Sequence, residues 1–243
     1  MDRRSNQRKR KRKPSIRERR NMYRPRTELI TYNNPKSSIS EQFRSIRTSI
    51  EYSRVSKKID CFVITSPEAG SGKTTVASNL AVSYAQKGKR TLLIDSDMRR
   101  PRVHKLFGLK NQKGLSTELI YPNETEDAFQ HSGIENLYIL TSGPLPPGPN
   151  ELLGSETLPI LIEKCRLTFD MIIIDTPPIS VVSDASILLS RVDGVVLVLR
   201  SNNTMKKDAR NAVALIERFG GKLLGSVLNG VDERNKEDYY YGY

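Results

Sequence analysis

A glycine-rich stretch at residues 66–75, with the sequence SPEAGSGKTT, constrains the fold of this chain more than any other feature. It lies between an apolar run that predicts a strand and a pattern that predicts a helix over residues 73–86. Gly70 and Gly72 let backbone N–H groups approach phosphate oxygens, and the helix start adds the positive end of a dipole. The stretch therefore predicts a phosphate-binding loop, although Pro67 stands where the general motif has glycine.

The side chains at the end of this loop supply the other groups that a nucleoside triphosphate needs. Lys73 can reach the β- and γ-phosphates, and the Thr74 hydroxyl can bind Mg²⁺. A glycine-rich turn that only caps a helix is disfavoured, because the strand before and the helix after are what the phosphate motif predicts. The predicted nucleotide-binding set is Gly70, Ser71, Gly72, Lys73, Thr74 and Thr75.

Strand-like apolar runs alternate with helix-like patterns along the rest of the chain. Strands are predicted at 59–65, 91–94, 137–140, 171–174, 195–199 and 223–228, and further helices at 158–165, 185–190 and 206–218. Continuous Val, Ile and Leu strands alternating with helices predict an α/β fold of the P-loop NTPase type, a mostly parallel sheet with helices on both faces. A length of 243 residues suits a single such domain.

Composition argues against several other classes of protein. The longest apolar runs are far shorter than the 18 or so residues that a membrane-spanning helix needs. The basic start of the chain lacks the apolar core of a secretory signal. Cys61 and Cys165 have neither a metal-like spacing nor the number needed for a disulfide framework, so a reducing cytoplasm is expected.

The net charge of +13 is concentrated at the amino terminus. Residues 1–26 hold 13 Lys and Arg against Asp2 and Glu18, a net of +11, which leaves +2 for the other 217 residues. We expect residues 1–34 to be a disordered basic tail, 35–231 the folded domain and 232–243 a flexible tail. Three interpretations of the basic tail stay open: peripheral contact with anionic lipid, a nucleic-acid arm, and a solvated tail that aids solubility.

Three aspartates follow two of the predicted strands directly. Asp95 and Asp97 come after the strand at 91–94, and Asp175 comes after the strand at 171–174. Ligands of parallel sheets bind at the carboxyl ends of the strands, so these acids should meet the phosphate loop there. Asp175 suits Mg²⁺, while one of Asp95 and Asp97 could serve the metal and the other could accept a proton. A helix cap or a loop carboxylate is the alternative for Asp95 taken alone.

The phosphate loop, the run LLIDSDMRRP at 92–101 and the run IIIDTPP at 172–178 together resemble the bacterial tyrosine kinases of capsular and exopolysaccharide synthesis. The resemblance covers about residues 35–243 and implies an ATP- and Mg²⁺-dependent protein-tyrosine kinase. Asp95 and Asp97 then lie on a second Walker-type motif, and Asp175 lies on the Walker B motif. We assign Lys73 to phosphate, Thr74, Asp97 and Asp175 to the metal, and Asp95 to the general base, with the division between Asp95 and Asp97 left open.

A predicted helix at residues 40–54 carries the pattern E-x-x-R-x-x-R at Glu41, Arg44 and Arg47. Such a pattern alone is typical of a solvated helix face. The resemblance implies instead that these three residues mediate ring-like self-association.

Four tyrosines occupy the last five positions, preceded by a polar segment at 233–238 that is too polar to dock them in a core. A mobile tail of this kind can present phenolic hydroxyls to the site of a neighbouring subunit. The resemblance implies autophosphorylation in trans, whereas a tail that packs on a partner is the alternative. The predicted acceptors are Tyr239, Tyr240, Tyr241 and Tyr243.

The resemblance also implies partners and a location. These are a membrane activator of the polysaccharide chain-length type, other proteins modified on tyrosine, an opposing tyrosine phosphatase, and recruitment from the cytoplasm to the inner face of the membrane. Asn229 could contact adenine or form a turn before Gly230. The main rival function is a ParA/MinD-like positioning ATPase, which typically has an additional lysine early in the loop, where residues 67–70 have none. A nucleic-acid-binding module would depend on the basic tail alone and is the less favoured partner class.

Overall fold

The described strands of this chain pair into one seven-stranded sheet in a computed structural model that describes residues 28–53, 58–122, 128–180 and 183–232. Across the sheet the strand order is β3-β4-β2-β5-β1-β6-β7, and the β3–β4 pair alone is antiparallel among these pairs. The predicted mostly parallel sheet of the P-loop NTPase type is thereby confirmed. The strands are β1 (Cys61–Thr65), β2 (Thr91–Asp95), β3 (Phe129–His131), β4 (Leu137–Leu140), β5 (Met171–Asp175), β6 (Gly194–Arg200) and β7 (Leu223–Asn229).

Helices cover both faces of this sheet. The predicted helix over 73–86 has the predicted bounds, and so does the one over 206–218. In chain order the helices are α1 (Ile30–Asn33), α2 (Ser38–Tyr52), α3 (Lys73–Gln86), α4 (Val103–Phe107), α5 (Leu115–Ile120), α6 (Pro149–Leu153), α7 (Thr157–Arg166), α8 (Ser183–Leu189) and α9 (Lys206–Arg218).

The side chains of β1 alternate between two apolar clusters, one on each face of the sheet. Cys61 and Val63 join the cluster that contains side chains from α7 and α9. Phe62 and Ile64 join the cluster that contains side chains from α2 and α3. All four side chains are fully buried. A strand covered on both faces has no polar side to present to water, which is why it reads as a continuous apolar run.

Strand register brings the phosphate loop and the strand-end acids to one edge. The central strand β5 pairs with β1 on one side and with β2 on the other. Asp95 of β2 lies directly opposite Asp175 of β5, and Ile64 of β1 is also in register with Asp175. The loop that follows β1 therefore starts beside both aspartates.

The packed part of the chain begins earlier than the predicted boundary at residue 35. Leu29 is fully buried, and α1 lies against α3 because the Thr31 N–H donates to Asn79 Oδ1 and Gln86 Nε2 donates to the Thr31 carbonyl. Helix α1 is too short to show a periodic apolar pattern in the sequence. The buried Asn79 of a distant helix holds it in place. Helix α2 begins at Ser38, two residues before the start that we predicted at residue 40, and the Ser37 side chain caps it.

Several short elements were missed by the sequence analysis. Helices α4, α5 and α6 and strand β3 each have six residues or fewer, too short for a periodic pattern. The predicted tails, apart from residues 28–34 and Asp232, lie outside the described residues. The described helices include none with the length and apolar character to span a membrane. Cys61 and Cys165 are both buried and carry free thiols.

Replacing a leucine of the buried strand β2 should cost far more stability than replacing an exposed one. Leu93→Ala empties a fully buried position and should lower the free energy of unfolding by about 2–5 kcal/mol. Leu167→Ala removes the same atoms from a side chain that is 90% exposed, so its change should stay within about 0.5 kcal/mol. Urea unfolding followed by circular dichroism measures both. Equal losses would contradict the two-cluster core.

Candidate functional site

The loop between β1 and α3 has the backbone conformation of an anion cradle. Gly70 and Gly72 have φ angles of 83° and 91°, in the left-handed region that favours glycine. A Cβ atom at Gly72 would lie 2.1 Å from Nδ2 of the Asn229 side chain, so a larger residue would have to displace that side chain and adopt a strained backbone conformation. Lys73 then begins α3, whose first N–H groups point toward the loop. The sequence-predicted phosphate site therefore has a formed backbone.

Lys73 is 8% exposed and faces acids rather than solvent. Burial lowers the pKa of its ammonium group, and the carboxylates of Asp175, Asp97 and Glu68 act in the opposite direction. A buried cation at the start of a helix is placed to meet an anionic ligand.

Asp175 lies at the end of the central strand with 1% of its surface exposed. Its Oδ2 accepts a hydrogen bond of 2.6 Å from the Thr74 hydroxyl, while its Oδ1 is buried with no hydrogen-bond partner among the described residues. Burial raises the pKa of this carboxyl to about 7. An orphaned carboxylate oxygen beside a threonine hydroxyl is the donor set that Mg²⁺ prefers, so these residues fit a magnesium ion bound together with nucleotide phosphates.

Asp95 is fully buried, and backbone N–H groups occupy both of its oxygens. Oδ2 accepts from Val103 at 3.1 Å and from Arg102 at 3.2 Å, and Oδ1 accepts from Asp97 at 3.2 Å. Burial, followed by the charge of Asp175, raises its pKa well above the ordinary value. These bonds hold the loop from Asp95 to the start of α4, and they add a positioning role to the base role that the sequence predicts.

Asp97 differs from its neighbour in being only partly buried. Its Oδ1 accepts a hydrogen bond of 3.0 Å from the backbone of Arg100. Its charge acts on Asp95, on Asp175 and on Lys73, so all four groups lie within electrostatic reach of one another. The structure therefore brings together the acids and the lysine that the sequence analysis selected.

Glu68 and Thr204 were missed by the sequence analysis. Glu68 Oε1 accepts hydrogen bonds from Ser71 Oγ at 3.0 Å and from Thr204 Oγ1, which ties the loop after β6 to the phosphate loop. Glu68 could have been noticed as a charged residue within the motif. Thr204 could not, because it lies 136 residues further along the chain.

The remaining predicted site residues have partners within the chain. Asn229 Nδ2 donates to the Ser71 carbonyl at 2.9 Å, and contact with adenine stays a prediction. Arg44 pairs with Glu41 at 2.8 Å, and Arg47 Nη1 donates to the Ser83 carbonyl of α3 at 2.6 Å. Self-association through these residues also stays a prediction. The four tyrosines lie outside the described residues.

Asp175→Asn should stabilise the protein in the absence of nucleotide and metal. An unfolded aspartate ionises near pH 4, whereas the folded Asp175 ionises near 7, so folding becomes less favourable as the pH rises between these values. An amide keeps the shape and removes this charge. We expect a gain of about 2 kcal/mol at pH 8 that shrinks as the pH falls below 7 and wild-type Asp175 takes up its proton.

Urea unfolding at pH 5.5 and pH 8 measures this difference. The exposed Glu217→Gln on α9 is the control, and its unfolding free energy should follow that of the wild type at both pH values. An Asp175→Asn variant that is less stable at pH 8 would contradict the proposed cost of the buried charge.

Comparisons with known proteins agree with this geometry. A family model described as ParA, NUBPL iron-transfer P-loop NTPase, matches residues 57–233. The tyrosine-protein kinase YwqD of Bacillus subtilis is 45% identical over 215 residues, which are 88% of this chain and 91% of that protein. The tyrosine-protein kinase etk of Escherichia coli is 35% identical over 224 residues, which are 91% of this chain but 31% of that longer protein.

Among the solved structures, two from the tyrosine-kinase family are more similar to this chain than a positioning ATPase is. The chimerical protein CapA2B2 superposes with a TM-score of 0.82 at 42% identity, covering 85% of this chain and 91% of that one. The kinase domain of Escherichia coli ETK has a TM-score of 0.82 at 35% identity, covering 88% and 84%. The septum site-determining protein MinD of Pyrococcus horikoshii is more distant, at 0.61 and 26%, with 73% of each chain covered. The chain therefore belongs to the ParA-type P-loop NTPases and, among them, to the bacterial tyrosine-protein kinases.

Proposed function

We propose that this chain transfers the γ-phosphate of ATP to tyrosine hydroxyls, first on the carboxyl-terminal cluster of a neighbouring copy and then on other proteins. The observation that carries the proposal is the pairing of Thr74 with the buried Asp175 beside Lys73, at the mouth of the phosphate loop. Relatives named as tyrosine-protein kinases at up to 45% identity support a protein hydroxyl as the acceptor.

Nucleotide binding falls to the loop and the start of α3. The backbone from Gly70 to Thr75 would bind the phosphates, and the Lys73 ammonium would offset their charge. A magnesium ion held by Thr74, Asp97 and Asp175 would neutralise the charge that builds up on the phosphates during transfer. The MinD structure complexed with Mg-ADP is a more distant example of this fold with that ligand.

Phosphoryl transfer then needs a proton acceptor for the phenol. As the phenol oxygen bonds to the γ-phosphorus, the bond from that phosphorus to the bridging oxygen breaks and ADP leaves. The phenolic proton passes to a carboxylate, for which we propose Asp95, because burial makes its ionised form a stronger base. Asp97, which is partly exposed and also at the site, would orient the substrate or the metal.

The proposal for partners rests on the resemblance to the bacterial tyrosine kinases of capsular and exopolysaccharide synthesis. We propose that the kinase acts with a membrane protein as activator, assembles into a ring through Glu41, Arg44 and Arg47, and regulates capsular or exopolysaccharide synthesis at the inner face of the membrane. A tyrosine phosphatase would reverse the modification. The ParA/MinD-like positioning role is not favoured, since MinD is 26% identical while the named kinases reach 45%.

Lys73→Met should abolish self-labelling while leaving the tail able to accept phosphate. Loss of the ammonium removes the charge that binds the phosphates, so labelling by the variant alone should fall at least about 100-fold. A second variant with Phe at positions 239, 240, 241 and 243 keeps the site but has no acceptor in the cluster. When the two are mixed with ATP and Mg²⁺, phosphotyrosine should appear on the Lys73→Met chain.

Mass spectrometry of each chain reads this out, and circular dichroism checks that both variants are folded. Phosphate on serine or threonine alone would overturn the proposed function, as would ATP hydrolysis without labelling. Normal self-labelling of Lys73→Met would remove Lys73 from its assigned role.

The double variant Glu41→Arg, Arg44→Glu exchanges the two charges. The exposed ion pair within one chain should be kept, while each position presents the opposite charge to a neighbouring copy. The matched variant Glu217→Arg, Arg218→Glu makes the same exchange on α9. We expect the first to shift the assembly toward monomer in light scattering coupled to gel filtration while circular dichroism shows that it stays folded, and the second to leave the assembly intact. An unchanged assembly in the first variant would exclude this helix as the interface.

A further inference from the structure

Ser71 lies between the two positive-φ glycines of the phosphate loop, and side-chain hydrogen bonds hold it in place. Glycine leaves the backbone freer than any other residue, so Gly70 and Gly72 do not fix the conformation of Ser71 by themselves. Ser71 is nevertheless fully buried. Its carbonyl accepts a hydrogen bond of 2.9 Å from Asn229 Nδ2, and its hydroxyl donates to Glu68 Oε1 at 3.0 Å. The shape of this part of the loop therefore depends on these two side chains.

Glu68 is held in turn by Thr204, which lies in the turn between β6 and α9. Glu68 Oε1 accepts a hydrogen bond from Thr204 Oγ1 as well as from Ser71. The Thr204 hydroxyl oxygen accepts from the Arg200 N–H at 2.8 Å, so its own proton is free to point to the carboxylate. The Thr204 N–H donates to the Arg200 carbonyl at 2.9 Å, which closes the turn. We call the three residues Glu68, Ser71 and Thr204 the loop clamp.

The carboxylate of the loop clamp is shielded from solvent on its other side. Glu68 Oε2 is buried and has no hydrogen-bond partner among the described residues, and Thr204 is partly buried. Hydrogen bonds to an ionised acceptor are stronger than those between neutral groups. Loss of the Thr204 hydroxyl would leave this carboxylate with fewer donors and favour its movement toward water, away from Ser71. The contact with Thr204 therefore controls whether Glu68 holds the loop.

We infer that Glu68 and Thr204 are positioning residues, which hold Ser71 and the backbone beside it in the conformation that binds nucleotide phosphates. A loop that is already ordered loses less conformational entropy when its ligand binds, so the affinity is higher. The side chains of Glu68 and Thr204 act through Ser71 and are not themselves ligands of phosphate or metal. The inference rests on the proposed function for the identity of the ligand, and it extends the nucleotide site to the turn after β6.

Thr204→Val should weaken the binding of Mg-ADP about tenfold. Valine has the shape of threonine but no hydroxyl to donate to Glu68. Thr204→Ser keeps the hydroxyl and should bind Mg-ADP with an affinity within about twofold of the wild type. Isothermal titration calorimetry of the full chain measures these affinities, after treatment with a tyrosine phosphatase and removal of bound nucleotide.

A threonine of α7 supplies the control for general loss of stability. The partly buried Thr157 hydroxyl donates to the Leu119 carbonyl at 3.2 Å, so Thr157→Val also removes a bonded hydroxyl. This control should bind Mg-ADP within about twofold of the wild type, because α7 contributes nothing to the loop clamp. In the nucleotide-free chain, amide hydrogen exchange over residues 66–75 should be faster in Thr204→Val alone. Thermal unfolding shows that each variant is folded at the temperature of these measurements.

A double-mutant cycle tests whether Thr204 acts through Glu68. In a Glu68→Ala background the Thr204 hydroxyl has no carboxylate to hold. Adding Thr204→Val to that background should therefore change the affinity for Mg-ADP by less than about twofold. This expectation is independent of the effect of Glu68→Ala by itself, which also removes a negative charge from the phosphate loop.

Three outcomes would overturn the inference. They are an unchanged affinity of Thr204→Val for Mg-ADP, equal losses of affinity in Thr204→Val and Thr157→Val, and a loss in Thr204→Val that persists in the Glu68→Ala background. The proposed kinase activity is tested separately by labelling with ATP. A chain that shows the expected pattern of Mg-ADP binding but labels no tyrosine would contradict the proposed function and support the positioning role of the loop clamp.

Discussion

The hydrogen bond from Thr74 to Asp175 is the contact on which the rest of the site depends. Thr74 belongs to the first turn of the helix after the phosphate loop, and Asp175 ends the central strand of the sheet. Because β5 pairs with both β1 and β2, its position fixes the start of the phosphate loop and the location of Asp95 at once. One short side-chain contact thereby links the two motifs that carry phosphate and metal chemistry.

This arrangement concentrates charge where solvent cannot screen it. Asp95 and Asp175 are buried next to one another, and the charges of Lys73 and, to a lesser extent, Arg102 favour the ionised form of Asp175. The unpaired Oδ1 of Asp175 would be expensive in a purely structural site. A bound cation would pair with this oxygen. Without the cation, the folded protein is less stable than a variant with a neutral side chain at position 175 would be. Buried charges retained at a cost to stability are typical of functional sites.

The phosphate loop is also the point where distant parts of the chain converge. Thr75 donates to the Glu28 carboxylate, the Ser71 carbonyl accepts from Asn229 at the end of β7, and Glu68 accepts from Thr204 in the loop after β6. The more distant ATPases have the same sheet. Similarity to them does not account for the contact between Glu68 and Thr204, which depends on the residues of this chain.

The sequence by itself determined the phosphate loop, the helix over 73–86, the order of the longer strands and helices, and the three strand-end aspartates, because each depends on residues close together in the chain. It also sufficed to identify the kinase family. Tertiary structure alone decided that Asp95 holds the backbone of α4, that Asn79 binds residues 28–31, and that Thr204 contacts Glu68. The same is true of Arg166, which bridges Asp60 and Asp193 at the opposite end of the sheet. Most of these contacts join side chains separated by tens of residues, up to more than a hundred, so no local periodicity records them, and only the packed sheet brings their atoms within hydrogen-bonding distance.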